Sequence, residues 1–448
     1  MTGLRARTPD LVFVALLATG AAALVFFGRG LTFFFDEWQL TLAPHPLAPS
    51  HLVEAHNGQI FLVPTVIYGL LLEVFGMTSQ LPFRLVNLAA ATACAALLFV
   101  FVRRRTSPGL ALVSILPVLV LGSAWETLLL GLSMNFTIGL AAGLGMLLVL
   151  EARSDRGDRL ACGLLVLSLA SGGIGLAFAA GAMVDLLARR DPRRIWIVGL
   201  PLLLFLAWQL IYGGDSGTPY VDNLLDLPGY LLHAVLAGFG ALIGVVYPEG
   251  RAVWVPRLLA IVAVVAVVAR LVLIKRPVPT RALVVGVVLL AFWVLGGLAM
   301  GEGRGPDASR YQYASVVLLI ALAACLLEGV EVPRRLPLML LPFALVATAL
   351  NLDCLKDGRD FLWEQTTITR AATGQLEISA RGMEGLTLNE EITGSPYQRT
   401  IVSGPYLRAV DRFGSPAYDE RQIETAPQAA REAADGVAFA AAIFGGAD

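Results

Sequence analysis

The chain has 448 residues, of which 57% are hydrophobic and only 15% charged, and its net charge is −1. Soluble domains carry about a quarter charged residues, so this composition excludes a water-soluble protein and describes one that crosses a membrane many times. It leaves no basic face for a nucleic-acid partner, and four scattered cysteines (Cys94, Cys162, Cys325 and Cys354) exclude a disulfide framework.

Arg5 and Arg7 precede the apolar run Leu11 to Phe27, which is about long enough to cross a bilayer. It has no small-residue cleavage site and is expected to stay as a membrane helix, with the N-terminus in the cytoplasm. Directly after it stand Phe33-Phe34-Phe35-Asp36-Glu37-Trp38. Carboxylates at a membrane face are costly to desolvate and mark function or a solvated helix end. A polar loop follows over residues 30 to 58. Its prolines Pro44, Pro46 and Pro49 break regular structure, and Ser50 is expected to cap a short helix over His51 to Ala55.

Gln59 to Phe75 is apolar, but the charges around it restrict its path. The next span opens at Arg84 and ends in Arg103-Arg104-Arg105, a cytoplasmic stop. Only one full crossing fits between an outer Asp36 and an inner triple arginine, so 59 to 75 is expected to lie along the outer leaflet. Further spans are predicted at 108 to 124 and 135 to 150, with Trp125-Glu126 in a solvated outer turn. Shorter runs at 160 to 171 and 174 to 188 meet at Ser171-Gly172-Gly173 and return to a basic loop, 189 to 194.

A span over 195 to 212 leads to an outer loop, 213 to 228. Gly229 to Val246 is Gly-rich, and the inside signals at 275 to 281 and at Arg334-Arg335 fit best if it does not fully cross. Spans at 254 to 274, 282 to 300, 312 to 327 and 336 to 350 complete the membrane part, residues 1 to 350. The tail, 351 to 448, reads as an amphipathic helix leaving the membrane over 352 to 378, then turns at Gly404-Pro405 and Ser415-Pro416 and a last helix. The expected fold class is all-α, a polytopic bundle of about 11 to 12 spans with a small C-terminal subdomain on the outer face.

The chemistry concentrates in two places. Asp36 with Glu37 beside it can act as a base toward an acceptor hydroxyl in group transfer, and a second carboxylate can orient the first or help hold a divalent metal. His45, His51 and His56 lie in the same loop without tight ligand spacing, so a metal stays an open alternative. Arg310, in Ser309-Arg310-Tyr311-Gln312-Tyr313, falls on the Asp36 side of the membrane. A guanidinium there suits phosphate oxygens, with Tyr311 and Tyr313 to stack or donate; interfacial snorkelling is the plainer reading. Arg84 has the same two readings.

The arrangement resembles the GT-C superfamily of membrane glycosyltransferases, which includes protein O-mannosyltransferases and lipid A aminoarabinose transferases. The matching residues are Asp36-Glu37 in the first outer loop, the run from His56 to Gly76 ending in Phe-Gly, Phe83-Arg84 opening the second span, and the basic loop after 172 to 188. The resemblance covers roughly residues 10 to 212. It extends to large groups of bacterial membrane proteins with DEW and HN motifs in this order. The chain departs in having His56-Asn57-Gly58 where the family often has His-Pro-Pro, and it carries no recognisable acceptor signature. The resemblance implies inverting transfer of a sugar from a polyprenyl-phosphate donor to a cell-envelope glycan, lipid or protein, at the outer face of a bacterial plasma membrane. Asp36 would be the base, alone or with Glu37, and His56 and Asn57 would line the same loop. A transporter or lipid-carrier flippase is the competing reading; against it, charges sit at span ends and only one glycine-broken helix pair is clear. A non-catalytic scaffold is a third.

Overall fold

The structure is a computed structural model that describes residues 2–213, 221–246, 252–273, 278–301, 303–379 and 383–445. Residues 214–220 of the expected outer loop and Lys275-Arg276 of the expected inside signal lie outside the described residues. Helix α1 (Thr2–Phe27) leads to the first loop, which holds α2 (Glu37–Thr41), α3 (Pro49–Val53) and the antiparallel hairpin β1 (Ala55–His56) and β2 (Gln59–Ile60). Pro49, not Ser50, opens α3, since a proline's missing N–H costs nothing in a first turn. Next come α4 (Leu62–Phe75) and the long α5 (Leu81–Arg105). At about 21 Å, α4 is too short to span, and it packs beneath the first loop against α2 and α3.

The expected straight span over 108 to 124 is instead broken. It forms α6 (Pro108–Ile115), two 3₁₀ turns and α7 (Trp125–Leu129), with a bend of 48°. Pro117 removes a ladder donor, and a Cβ at Gly122 would lie 1.8 Å from the Asn351 carbonyl oxygen, so another helix's backbone passes where the chain kinks. Helices α8 (Met134–Leu150), α9 (Asp155–Ser171) and α10 (Ile174–Ala188) then run back and forth through the bundle. The α9–α10 reversal is tight because Gly175 lets the chain approach the Leu169 backbone, 2.5 Å from a would-be Cβ.

Helix α11 (Trp196–Tyr212) is followed by α12 (Leu227–Ile243), α13 (Trp254–Leu273), α14 (Thr280–Leu298) and α15 (Ser309–Leu327). The last membrane helix, α16 (Leu336–Ser379), is 44 residues long, about 66 Å. What reads in sequence as a span plus a separate amphipathic helix is therefore one rod that leaves the membrane. The tail adds β3 (Thr387–Leu388), α17 (Glu390–Thr393), β4 (Ile401–Val402), α18 (Ser403–Phe413), α19 (Glu420–Glu424) and α20 (Gln428–Gly445). Gly404-Pro405 is not a turn: both residues lie in the first turn of α18, where proline is tolerated. Among the described residues, six helices are long and apolar enough to cross a membrane, or seven if the bent pair is one span.

Charges sort the loops onto two ends. At one end Arg105 pairs with Glu151, Arg281 reaches Glu151 at 3.4 Å and Glu328 at 2.9 Å, and Arg194 pairs with Asp158. The first loop, residues 299 to 301 and 303 to 311, and the tail gather at the other end. Helix α12 starts near that second end, where Asn223 bonds the Leu298 and Met300 carbonyls (2.8 and 2.9 Å), and it stops at Gly244 against Asn351. Pro337 packs on Gly109 beside the arginine end, and Asn351 lies about 20 Å farther along α16. So α12 stops well short of a full crossing, and α13 descends to Arg270 beside the Glu328 carbonyl.

The tail is not packed only on itself. One core joins Phe33, Trp38, Tyr68 and Phe83 of the loop region to Ile368, Leu388, Ile401 and Tyr406 of the tail. The Trp38 and Tyr406 rings meet at 6.0 Å, and Met77 N donates to Phe413 O at 2.8 Å. Loop and tail form a single cap over one end of the bundle.

Candidate active site

The carboxylate doublet divides at the backbone. The Phe34–Glu37 turn is closed by Glu37 N donating to Phe34 O (3.0 Å) and by Phe34 N donating to Glu37 Oε2 (2.8 Å). Inside that turn Phe35 has φ 47°, the left-handed region that bulky residues avoid. Such a conformation costs about 1–2 kcal/mol and persists only where its surroundings fix it. Here Glu37 fixes it. Fully buried, Glu37 also accepts from Tyr68 Oη (2.6 Å), Gln80 Nε2 (2.5 Å) and Leu132 N (3.0 Å). Burial raises its pKa, and the four donors work against that rise. The neighbouring Asp36 is thereby turned the other way, into a cleft.

That cleft, about 140 Å³, lies between the first loop and the ends of α7, α8, α14 and α15. Asp36, His56, Asn57, Gln59, Glu126, Asn135, Arg304, Arg310 and Tyr311 give it polar groups, and Phe34, Phe35, Phe61 and Phe136 give it aromatic walls. Asn57 Nδ2 donates to Asp36 Oδ2 at 3.2 Å. Asn57-Gly58 forms the two-residue turn of the β1–β2 hairpin, with φ 50° and 73° as such tight turns require. The turn thus carries the amide to Asp36. Arg399, from the tail, lies 3.4 Å from Asp36 Oδ1 and 5.7 Å from the centre of the Phe35 ring. Across the cleft Arg310 Nε is 3.1 Å from Glu126 Oε2.

His56 stacks on Phe61 with ring centres 4.7 Å apart. Burial lowers its pKa and the Asp36 charge pulls it partly back. A histidine depressed in the folded state contributes stability above its unfolded pKa of about 6.5, and that stability is lost as pH falls through the folded value. Acidification from pH 7.5 to 5 should therefore lower the unfolding temperature, and His56→Phe, which keeps the stack, should flatten that dependence. Identical pH slopes for the two proteins in a thermal unfolding series would contradict this assignment.

The sequence-predicted residues fall into two groups. Asp36, His56, Asn57, Arg310 and Tyr311 share the cleft. Glu37, Arg84 and Tyr313 stand outside it. Arg84 is buried and donates to the carbonyls of Leu129 (2.8 Å), Gly28 and Leu24 (3.3 Å), capping the end of α1. Tyr313 is buried in the helical core and donates to Ala91 O at 3.1 Å. Glu126 is not the solvated turn residue expected from sequence: it lies in the cleft because the break at Gly122 folds α7 inward. Arg304 and Arg399 are further cations at the site that sequence reasoning passed over. Among the described residues no three His, Cys, Asp or Glu side chains gather as a metal site requires.

No protein-family model matches the chain, and no curated protein matches it by sequence. Among solved structures the chain is similar to the crystal structure of ArnT from Cupriavidus metallidurans bound to undecaprenyl phosphate. The TM-score is 0.53 at 13% identity, covering 98% of this chain and 88% of that one. The likeness is one of fold: the two chains share a polytopic helical architecture.

Proposed function

We propose that this protein is an integral-membrane glycosyltransferase. It moves a sugar from a polyprenyl-phosphate-linked donor to an acceptor at the outer face of a bacterial plasma membrane. The observation that carries the reading is the convergence of Asp36 and Arg310 on one cleft at the loop-and-tail end of the bundle. Asp36 takes the proton of the acceptor hydroxyl as its oxygen attacks the anomeric carbon from the face opposite the phosphate. The bond from that carbon to the phosphate oxygen breaks, and the lipid phosphate leaves with its charge met by Arg310 and Arg304. Tyr311 flanks the sugar. Burial gives Glu37 a different role, holding the turn that aims Asp36. The shared fold with a protein crystallised bound to undecaprenyl phosphate supports the choice of donor.

The test is transfer in liposomes containing the full-length protein, a polyprenyl-phosphate-linked radiolabelled sugar and a cell-envelope extract as acceptor source. Wild-type protein should move label off the donor lipid. Arg310→Ala should need about 10- to 100-fold more donor for the same rate, since a charge-assisted bond is worth about 1.5–3 kcal/mol. Label that stays on the lipid with wild-type protein, or an unchanged donor requirement in the variant, would overturn the reading.

A further inference from the structure

The cleft's two acids are each held by an arginine: Asp36 by Arg399 at 3.4 Å and Glu126 by Arg310 at 3.1 Å. The second pair is not what ties its two helices together. The backbone beside it is already cross-tied, since Glu126 N donates to Ser309 Oγ (3.1 Å) and Thr127 Oγ1 donates to Arg310 O (3.1 Å). Ser133 Oγ further pins Glu126 O at 2.8 Å. These bonds fix α7 against the start of α15 whether or not the side chains pair. The Glu126 carboxylate meanwhile sits on the guanidinium at the N-terminal turn of a 19-residue helix, where the helix dipole and free N–H groups favour an anion.

We propose that Glu126 is a resident stand-in for the donor's phosphate. It occupies the anion seat on Arg310 when the cleft is empty and is displaced when a polyprenyl phosphate enters. This inference rests on the reading that the donor phosphate binds at Arg310. Its consequence is counter-intuitive for a cleft residue: removing the Glu126 charge strengthens ligand binding. A competitor for the seat is lost, and so is a like charge beside the incoming phosphate. In the wild type the exchange makes an unoccupied cleft self-neutralised, and only a ligand that outcompetes a tethered carboxylate takes the arginine.

The experiment measures undecaprenyl phosphate binding to the purified full-length protein in detergent, for wild type, Glu126→Gln, Arg310→Gln and the double variant. Thermal unfolding runs in parallel. Glu126→Gln should bind about tenfold more tightly with little change in unfolding temperature. Arg310→Gln should bind more weakly, and adding Glu126→Gln to it should restore little, because the competition needs the arginine. Equal or weaker binding by a folded Glu126→Gln would overturn the inference while leaving the donor reading intact, provided that wild type binds and Arg310→Gln binds more weakly than wild type. A tenfold gain that persists in the double variant would also overturn it, since the effect would not pass through Arg310. If wild type does not bind the lipid phosphate at all, the donor reading fails and the inference fails with it.

Discussion

Asp36→Asn should leave the protein folded and inserted and lower transfer by about a thousandfold, within the 10²–10⁴ that a positioned general base supplies. The substitution keeps shape and one acceptor oxygen but cannot take a proton from the attacking hydroxyl. Folding should survive because Asp36 holds little together. Its contacts are one amide at 3.2 Å and one guanidinium at 3.4 Å, the latter a third exposed. Partly exposed ion pairs of this kind contribute at most about 1 kcal/mol. Transfer rates in liposomes, normalised to folded protein by size-exclusion profile and unfolding temperature, separate chemistry from stability. A variant that transfers at near the wild-type rate removes Asp36 from the reaction, whatever else lines the cleft.

The membrane architecture was legible because hydropathy and arginine placement are strong local signals. They gave the span order, an α4 too short to cross and an incomplete α12. The cleft was half legible. Arg310 and Tyr311 were found by their position beside a span on the Asp36 side. Tyr313 could have been set aside from the sequence itself, since two residues along a helix turn a side chain about 200° away from Tyr311. The Asn57-Gly58 dipeptide was a readable hairpin signal, and its turn is what delivers the amide to Asp36. Other features were not readable in principle. Whether Asp36 or Glu37 faces the cleft depends on donors from Tyr68, Gln80 and Leu132, which lie far apart in sequence. Glu126 enters the cleft only because α16 passes Gly122 so closely that α7 must bend. Arg399 arrives from the tail, whose docking is set by a shared core and by no motif.

The same tertiary logic makes Glu37 the residue whose loss should damage the fold most. Glu37→Leu fills the space but leaves Phe34 N, Leu132 N, Tyr68 Oη and Gln80 Nε2 buried without their acceptor. Each orphaned polar group costs about 1–3 kcal/mol, and four are orphaned together. The turn that confines Phe35 to its left-handed conformation would also lose its clasp. The variant should therefore accumulate poorly and unfold at a much lower temperature. Glu37→Gln keeps one oxygen to accept from the clasp but points an amino group at other donors, so it should be destabilised by less. The two acids then predict opposite patterns. For Glu37 variants, transfer per folded molecule should track how well Asp36 is aimed, falling together with stability. For Asp36→Asn, transfer should fall about a thousandfold while the unfolding temperature holds. A stable Glu37→Leu protein, with a melting curve like that of wild type, would show that the turn does not depend on this carboxylate, and the account of how the chain aims Asp36 would have to be replaced.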